Sequence, residues 1–494
     1  MSFEDKSPEK IIVQVAIDSP LNQLFDYAWH EDFATAPQKG QIVQVSFGRQ
    51  ECIGVVMQVL DKTDYDLEKI KKVQAIAPLQ PISSDVMAMA EFAAIYYQRP
   101  IGEVLIPSIP KMWRQKNKWE LLGKEKRLSK TSAGTKNAKA QPGNEISLNE
   151  EQLFIVEKLW NQSISKKFSC NLLQGITGSG KTLTYLRWLK KILDDDESQV
   201  MIMVPEINLT PQLESSVEQA FPGKKLVVMH SGITDRTRAD NWEKAHSGKA
   251  QIILGTRMAV ATSAPNLKAI VVDEEHDLSY KQQEGVRYSA RDLAVWRGKK
   301  LNIPVVLASA TPSLETWFHA QEKRYEILSL KERAAKNAKP PLIQILDLKQ
   351  EQKAGKKNEH GISEYLLNEL QKNIEQGRQS IIYINRRGYS PVLNCQACGW
   401  LSDCVKCSAH MVLHKITEQK KNLCCHHCGV MRPVPKVCPD CGNTDLSPLG
   451  KGTQKIEEFL SERFPKAKYY KDYREMLEKE HKNINAVSVS TPDH

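Results

Sequence analysis

Residues 175–182 read Gly175-Ile176-Thr177-Gly178-Ser179-Gly180-Lys181-Thr182 and fit the pattern G-x-x-x-x-G-K-[ST] at every position. Residues 169–174 predict a short buried strand, and residues 183–193 predict a helix. In this order of strand, loop and helix, the glycines allow successive backbone N–H groups to converge on a phosphate. Lys181 would reach the β- and γ-phosphate oxygens, and the Thr182 hydroxyl would bind Mg²⁺. The sequence therefore predicts a site for ATP with Mg²⁺, formed by Gly175, Gly178, Ser179, Gly180, Lys181 and Thr182.

The length and composition of the chain limit the class of protein. Its 494 residues are enough for roughly three or four domains. No apolar run approaches the ~18 residues that a membrane span requires, and the N-terminus shows no secretory signal. We therefore expect a cytoplasmic protein that has no membrane partner.

Much of the positive charge is concentrated in one segment. The net charge is +10, and residues 111–140 hold ten Lys and Arg against Glu120 and Glu125. A composition rich in Lys, Ser, Gly and Ala is typical of a solvated linker. Beside a DNA-binding module, such a linker would also contact phosphates. We interpret residues 114–147 as this basic linker.

The hydrophobic pattern predicts an α/β multidomain chain. Residues 11–60 contain short strand-like runs separated by Pro and Gly, and residues 84–98 predict an amphipathic helix. Strands alternate with helices from Leu148 to about Leu330, which predicts a parallel sheet. A second α/β segment begins near Leu342, with a strand at 342–347, a helix at 363–376 and a strand at 380–384.

Two further motifs lie at the ends of apolar strands. Residues 269–276 form an apolar run that ends in acids, which would place Asp273 to hold the magnesium shell and Glu274 to polarise an attacking water. Together with Lys181, these two acids are the predicted catalytic residues. Ser309-Ala310-Thr311 follows a later strand, where its hydroxyls would sense the γ-phosphate.

The order of these motifs resembles that of superfamily 2 helicases, and the strings themselves resemble the PriA family of replication-restart helicases. The matching strings are GITGSGKT, VPEINLTPQ, MHSG, GTRMAV, IVVDEEHD, SYKQ, RYSARDLA and ASATPS, all within residues 148–330. The resemblance implies a RecA-like helicase lobe 1 over 148–335 and the start of lobe 2 over 336–394. It also implies that Gln152 reads the adenine of ATP.

The same resemblance implies that the segment from Tyr280 to Arg291 couples single-stranded DNA to ATP hydrolysis. Tyr280, Lys281, Arg287 and Tyr288 are its candidate DNA-binding residues. Aromatic and cationic side chains suit base stacking and phosphate pairing. Simple packing of the tyrosines is the alternative.

Nine of the eleven cysteines lie between Cys395 and Cys441. In a cytoplasmic chain, C-x-x-C pairs predict metal binding rather than disulfides. Four pairs supply eight thiolates, enough for two structural Zn²⁺ sites. A hairpin between the inner pairs favours a nested arrangement, which the family resemblance also implies, and pairing in sequence order is the alternative. The nested sets are Cys395, Cys398, Cys438 and Cys441 at one zinc and Cys404, Cys407, Cys425 and Cys428 at the other. Cys424 is then a bystander, and its exchange with Cys425 is the alternative.

Residues 1–113 resemble the PriA family as well, through Phe25-Asp26-Tyr27, Val45-Ser46-Phe47-Gly48 and Tyr96-Tyr97. The resemblance implies a β-rich module that captures the 3′ end of a nascent strand at a fork. By position, Phe25, Asp26, Gly48 and Lys71 fall on the pocket for the 3′ terminus. An aromatic ring can stack on a base, an acid can accept from a terminal hydroxyl, and a lysine can bind a phosphate. From the residues alone, a structural β-module would be favoured.

The sequence departs from the family pattern in two places. About 35 residues between Trp113 and Leu148 are too few for the winged-helix domain of the family. Strings of the type G-T-Q-M-x-x-K-G and Q-x-x-G-R-x-G-R, which complete the ATP site from lobe 2, do not occur. We expect a Cys-rich zinc-binding region at 395–449 and a continuation of lobe 2 at 450–465. Residues 466–494 instead resemble a fragment of a Gfo/Idh/MocA-type oxidoreductase, so we expect a C-terminally truncated or chimeric chain.

Three functions are compatible with this pattern. The first is an ATP-dependent 3′–5′ DNA helicase that recognises stalled or abandoned forks and initiates replication restart and primosome assembly. Its implied partners are forked and single-stranded DNA, primosome and replication-restart proteins, and single-stranded DNA-binding protein. The second is a module that binds forked DNA, ATP and zinc without unwinding, because the second-lobe motifs are missing. The third is an oxidoreductase, which rests on residues 466–494 alone and lacks a G-x-G-x-x-G motif for NAD.

Overall fold

The computed structural model describes two compact units of the chain, Met1–Lys339 and Pro340–His494. The described residues are 11–66, 68–123, 147–205, 211–334, 342–347, 358–359, 362–378, 380, 382, 392–395, 397–407, 409–415, 421–425, 428–449 and 459–465. The oxidoreductase-like segment 466–494 lies outside them, so its interpretation stays a prediction. Among the described residues, no helix combines the length and the apolar character that crossing a bilayer would require.

The first unit begins with a five-stranded antiparallel sheet in the order β2-β1-β4-β3-β5. Its alternating Val and Ile residues form two apolar faces, as expected for β-strands. One face forms a core around Val13, Val15 and Val43, and the other packs against helix α1. The elements are β1 (Ile12–Ile17), β2 (Phe25–Ala28), β3 (Ile42–Phe47), β4 (Gln50–Leu60), β5 (Ala75–Ile76), α1 (Ser84–Tyr96) and α2 (Ile101–Leu105).

Part of the predicted basic linker is a packed helix, α3 (Lys116–Gly123). Trp119 and Leu122, three residues apart, form its apolar side and are only 5% and 7% exposed. The Trp119 indole also donates to the carbonyl oxygen of Trp113 at 2.9 Å. The prediction of a solvated linker is therefore wrong for this stretch, because two large apolar side chains outweigh the basic composition. Residues 124–146 lie outside the described part of the chain.

The rest of this unit is a seven-stranded parallel sheet in the order β12-β6-β11-β10-β7-β9-β8, which confirms the predicted RecA-like α/β lobe. Its central strands are buried on both faces, as the apolar runs predict. The carboxyl ends of β6, β10 and β11 meet at one edge. The strands are β6 (Ser169–Gly175), β7 (Gln199–Met203), β8 (Leu226–Met229), β9 (Ile252–Gly255), β10 (Leu267–Asp273), β11 (Pro304–Ser309) and β12 (Glu326–Leu330).

Six helices accompany this sheet within the described residues of the lobe. They are α4 (Glu150–Ile164), α5 (Lys181–Ile192), α6 (Pro211–Ala220), α7 (Asp235–His246), α8 (Ala290–Leu301) and α9 (Leu314–Gln321). Asn149, Thr234, Ser289 and Ser313 accept a backbone N–H at the starts of α4, α7, α8 and α9. Such side chains satisfy N–H groups that the helix itself leaves unpaired.

The second unit contains helix α10 (Glu364–Glu375), a two-stranded hairpin and a five-stranded antiparallel sheet. The predicted strand at 342–347 is wrong: these residues form no strand, and Leu342, Ile343 and Ile345 are 101%, 81% and 91% exposed. Without a ladder to a described neighbour, this apolar run gains no burial. The strands are β13 (Asn358–Glu359), β14 (Ile362–Ser363), β15 (Val392–Cys395), β16 (Val412–Lys415), β17 (Lys421–Cys424), β18 (Met431–Pro433) and β19 (Leu446–Leu449).

Candidate ATP, zinc and nucleic-acid sites

The phosphate-binding loop joins β6 to α5. Gly178 and Gly180 have φ angles of 80° and 85°, a left-handed conformation that favours glycine. A Cβ atom on Gly180 would lie 2.4 Å from Gln152 Nε2, so a larger residue here would displace the Gln152 amide. Lys181 is buried, and its Nζ donates to the carbonyl oxygen of Gly175 at 2.9 Å. The loop therefore has the geometry that its motif predicts.

Gln152 ties helix α4 to this loop. Its Nε2 donates to the carbonyl oxygen of Ser179 at 3.0 Å, while its Oε1 accepts from the backbone N–H of Asn149 at 3.0 Å. Asn149 in turn accepts from the Gln152 backbone N–H, which completes a capping box at the start of α4. Both ends of the amide are thus occupied by protein groups, and adenine reading by Gln152 stays a prediction.

Asp273 is half-buried at the end of β10. The Tyr185 hydroxyl donates to its Oδ2 at 3.0 Å, and the Glu274 backbone N–H donates to its Oδ1 at 3.0 Å. Burial, aided by the neighbouring Glu274 charge, raises the pKa of Asp273 to about 6. Sequence reasoning missed Tyr185, although it lies four residues after Lys181 on α5 and hence on the same helical face.

Glu274 begins a chain of contacts that reaches the Ser309-Ala310-Thr311 segment. Its backbone φ is +44°, a strained conformation for a residue other than glycine. His276 Nδ1 lies 3.5 Å from the Glu274 carboxylate and 2.8 Å from Ser309 Oγ. Ser309 Oγ also accepts from the Thr311 backbone N–H at 3.0 Å. The predicted water-polarising acid and the predicted γ-phosphate sensor are thereby connected.

Glu275 is a buried acid that sequence reasoning also missed. Its carboxylate accepts from Arg291 at 3.2 Å, from the Ser313 backbone N–H at 2.7 Å and from the Thr316 hydroxyl at 2.8 Å. These contacts join the starts of α8 and α9 to the end of β10. The only sequence signal for this network is the position of Glu275 as the third acid in the run Asp273-Glu274-Glu275.

The residues around the loop fit ATP with Mg²⁺. Ser179 Oγ is buried and has no hydrogen-bond partner within the described protein, as a group prepared for a phosphate would be. Lys181 and the loop N–H groups would bind phosphate oxygens, and Thr182, exposed at the first turn of α5, would join Asp273 at the metal. Glu274 remains for the attacking water.

The eight C-x-x-C thiols form two groups of four. Within each group, all sulfur atoms lie within 4.8 Å of one another. Zn–S bonds of 2.3 Å in a tetrahedron imply S···S distances of about 3.8 Å, so both groups fit zinc. They are Cys395, Cys398, Cys438 and Cys441, and Cys404, Cys407, Cys425 and Cys428, the nested arrangement.

Backbone N–H groups favour the thiolate form of one cysteine in each group, whereas desolvation and hydrogen bonds among the thiols raise the pKa of Cys398 and Cys407 to about 12. After the first, third and fourth pairs, a glycine N–H bonds back to the carbonyl oxygen of the first cysteine at 2.9, 2.8 and 2.9 Å. Backbone N–H groups, that of Cys398 foremost, lower the pKa of Cys395 to about 7. The Lys406 N–H likewise lowers the pKa of Cys404 to about 6. Metal binding requires the thiolate form, which such hydrogen bonds favour.

The four candidate residues of the 3′-end pocket lie around one end of the N-terminal sheet. Phe25 packs edge-on against Phe47 with ring centroids 4.8 Å apart, and Lys71 Nζ donates to the carbonyl oxygen of Gly48 at 2.7 Å. Asp26 points to the opposite face of β2 from Phe25. There it accepts from Gln14 at 3.0 Å and Thr63 at 2.6 Å. The structure thus brings Phe25, Gly48 and Lys71 to the turn after β3, with Asp26 in a separate polar cluster.

The residues predicted to couple DNA to hydrolysis differ in exposure. Tyr280 is 2% exposed and donates to the carbonyl oxygen of Asp273 at 2.6 Å, so its ring packs under the ATP site and is not placed to stack on a base. This corrects the stacking role assigned to Tyr280 and favours the packing alternative. Lys281 and Arg287 are exposed, and Tyr288 is half-buried. These three remain candidates for DNA contact.

Tyr288 also lines a cavity of about 610 Å³ between the N-terminal sheet module and the parallel-sheet lobe. The module contributes residues of α1 and the 3₁₀ turn after α2. The lobe contributes Arg238 from α7, Arg257 after β9 and the loop 282–288. Several positive side chains therefore face the same space as the candidate DNA-coupling loop.

The family described as 3′DNA-binding domain (3′BD) matches residues 14–110, and the DEAD/DEAH box helicase family matches residues 156–317. The chain is 34% identical over 515 residues to replication restart protein PriA of Haemophilus influenzae, covering 92% of this chain and 69% of that protein. It is 34% identical to the PriA protein of Rickettsia prowazekii, covering 91% of this chain and 65% of that protein. Among solved structures, RecG bound to a three-way DNA junction is similar at a TM-score of 0.34 and 18% identity, over 47% of this chain and 28% of that one.

The fold and these matches define a DEAD/DEAH box helicase module joined to a 3′ DNA-binding domain. The chain belongs to the PriA family of replication restart proteins. It spans 69% of the Haemophilus relative but only 39% of the Bacillus subtilis relative, to which it is 36% identical over 65% of this chain.

Proposed function

We propose that this chain is an ATP-dependent 3′–5′ DNA helicase of the PriA type that acts in the cytoplasm. It would recognise stalled or abandoned forks and initiate replication restart and primosome assembly. The observation that supports this best is the combination, in one compact unit, of a 3′ DNA-binding domain with a phosphate loop and the paired acids Asp273 and Glu274. Fork DNA would be bound by the first and ATP hydrolysed at the second.

The proposed roles in hydrolysis follow from the contacts. Lys181 and the loop N–H groups would bind the phosphates, and Thr182 and Asp273 would hold Mg²⁺, which would supply positive charge to the phosphate oxygens. Glu274 orients the attacking water, and the contact of His276 with both Glu274 and Ser309 links that acid to the γ-phosphate sensor. The two groups of four thiols would each hold a structural zinc ion, with the protein supplying all four ligands.

In this proposal, the N-terminal module binds the 3′ end of the nascent strand through Phe25, Gly48 and Lys71, with Asp26 nearby. Lys281, Arg287 and Tyr288 contact single-stranded DNA. Primosome and replication-restart proteins and single-stranded DNA-binding protein are the expected protein partners. A second candidate function is binding of forked DNA and ATP without unwinding.

Steady-state ATP turnover, with and without forked DNA, tests the proposal. Glu274→Gln should lower DNA-stimulated turnover by about 10²–10⁴-fold while nucleotide and fork binding persist, because only the orientation of water is lost. Lys181→Ala should weaken nucleotide binding as well. Lys190→Ala, an exposed change on the same helix, is the matched control and should behave as wild type.

The two candidate functions give different results in this experiment. Turnover that rises with forked DNA and is lost in Glu274→Gln supports the helicase motor. Tight fork binding with wild-type turnover no higher than that of Glu274→Gln contradicts hydrolysis by this chain and supports the binding module.

A further inference from the structure

Residues 281–289 form a loop with a closed base. Lys281 and Ser289 pair as an isolated antiparallel bridge, and the Gln282 backbone N–H donates to the Tyr288 carbonyl oxygen at 2.9 Å. Ser289 is also the residue that caps α8. Whatever contacts the base of this loop therefore affects both of its ends at once.

Tyr97, at the end of α1 in the N-terminal module, contacts both ends of that base. Its hydroxyl accepts a hydrogen bond from the Ser289 backbone N–H at 3.1 Å. Lys281 Nζ lies 5.5 Å from the centroid of its ring, within the range of a cation–π contact. Nearer the loop tip, Arg99 reaches the carbonyl oxygen of Gly285 at 3.5 Å.

On its other side, the loop leads directly to the ATP site. Tyr280, the residue before the loop, donates to the carbonyl oxygen of Asp273 at 2.6 Å. Arg257 donates to the Ser279 carbonyl oxygen at 3.1 Å. The loop base is therefore connected by hydrogen bonds to the backbone at the predicted magnesium ligand.

Helix α1 gives Tyr97 a rigid support. Phe92 stacks on Trp296 of α8 with ring centroids 5.0 Å apart, and Asp85 pairs with Arg297 of α8 at 2.6 Å. The residues of α1 also share a core with the N-terminal sheet. The sheet that carries the candidate 3′-end pocket and the base of the loop are thus joined through one helix.

We propose that Tyr97 is a positioning residue through which the 3′ DNA-binding module sets the response of the loop 281–289 to single-stranded DNA. This inference rests on the proposed function and adds a regulatory contact to it. Tyr97 holds the loop base in the conformation that receives DNA, so that less DNA is needed to stimulate hydrolysis. DNA bound by the module and DNA bound by the loop then act on one shared contact.

The full chain with Tyr97→Phe and Tyr97→Leu tests this proposal. Tyr97→Phe removes the hydroxyl and keeps the ring, whereas Tyr97→Leu removes both contacts. Tyr96→Phe is the matched control, because Tyr96 is 66% exposed. Thermal unfolding of each variant establishes that it folds. If Tyr97→Leu does not fold, the conservative Tyr97→Phe still decides the test.

Two measurements are made on each variant. The first is the rate of trypsin cleavage after the exposed Lys281 and Arg287 without nucleotide or DNA, expected to rise about 2–10-fold in Tyr97→Phe and further in Tyr97→Leu. The second is the concentration of forked DNA that gives half-maximal ATP turnover. This concentration should rise about 2–10-fold in Tyr97→Phe, with basal and maximal turnover unchanged.

The outcomes separate this proposal from the proposed function. Equal cleavage rates in all variants overturn the positioning role, whatever the turnover. Faster cleavage with an unchanged DNA response overturns the coupling to hydrolysis. A wild-type chain without DNA-stimulated turnover overturns the proposed function and the coupling together, while the cleavage rates still decide whether Tyr97 positions the loop.

Discussion

Desolvation and neighbouring charge set the protonation of single residues at the candidate ATP site. Asp273 has a raised pKa of about 6 because the surrounding protein desolvates its carboxyl group and Glu274 lies beside it, and the Tyr185 hydroxyl donates to one of its oxygens. Lys181, Asp273 and Glu274 were predictable because the motifs fix their spacing along strands and loops. Tyr185 and Glu275 were not, because their contacts arise only when α5, α8 and α9 pack around the end of β10. The base-stacking role predicted for Tyr280 is wrong for the same reason, because a sequence does not show whether a tyrosine ring is buried.

His246 is a single residue whose protonation should affect stability. Its Nε2 lies 2.8 Å from the carbonyl oxygen of Gln80, and its Nδ1 is buried without a partner among the described residues. Burial lowers the pKa of His246 below its ordinary value of 6.5. The unfolded chain therefore binds the proton more readily, and this residue should reduce the free energy of unfolding progressively as pH falls below 6.5.

Urea unfolding of wild type and His246→Gln between pH 7.5 and pH 5 measures this effect. Glutamine can still donate to Gln80 and does not titrate, so the variant should lose less stability on acidification. Asp273, with its raised pKa, acts in the opposite direction but equally in both proteins, so its effect cancels in the comparison. Parallel pH dependences for the two proteins would show that His246 does not titrate with unfolding.

Helices, strands and metal knuckles differ in how well their local sequence predicts them. The C-x-x-C pairs could be predicted as metal knuckles because two thiolates and a following turn are local features. The structure of residues 342–347, and of residues 116–123 within the linker expected at 114–147, could not be predicted. A strand at 342–347 depends on a partner strand, and the helix at 116–123 depends on a surface that covers Trp119. Local spacing determined the knuckles, whereas tertiary contacts determined the other two elements.

Cys424, the last residue of strand β17, and Cys425, which follows it, give a matched test of the zinc sites. Cys425 is fully buried in one thiol group, whereas Cys424 belongs to the strand and to neither group. Cys425→Ser should lower bound zinc from two ions to about one per chain, and Cys424→Ser should leave two. Elemental analysis of the purified proteins measures the zinc content.

Removal of zinc from this region should also destabilise its fold. A strong chelator is expected to abolish the five-stranded sheet β15–β19, because small metal-bound sheets gain their folding free energy from the ion. In the comparison of cysteine variants, two zinc ions bound by Cys425→Ser would mean that Cys424 replaces Cys425 as a ligand. An unchanged melting profile in chelator would contradict a structural role for the metal.

At the scale of the whole molecule, the 3′ DNA-binding module and the ATPase lobe share one core. Apolar residues of both pack in a single cluster, and polar contacts cross between them, including Trp113 to the Ala239 carbonyl oxygen at 3.3 Å. A buried ion pair crosses between them, with Asp85 and Arg297 2.6 Å apart at exposures of 4% and 0%. Arg297 also donates to the carbonyl oxygens of Val260 and Thr262 at 2.8 and 2.9 Å. Burial raises the pKa of Asp85, but Arg297 and Ser83 outweigh it, so this pKa lies below its ordinary value and the carboxylate is charged.

Asp85→Asn should therefore destabilise both parts together. It leaves Arg297 charged and buried without its counterion, which typically costs about 3–5 kcal/mol of unfolding free energy. The double variant Asp85→Leu/Arg297→Met should recover most of that loss, because it removes both charges and retains apolar volume. Glu91→Gln is the control on the same helix: its pair with Lys39, at 2.7 Å, is exposed and should contribute less than about 1 kcal/mol. Urea unfolding followed by tryptophan fluorescence measures all three, and a loss in Asp85→Asn no larger than that in Glu91→Gln would mean that apolar packing alone joins the module to the lobe.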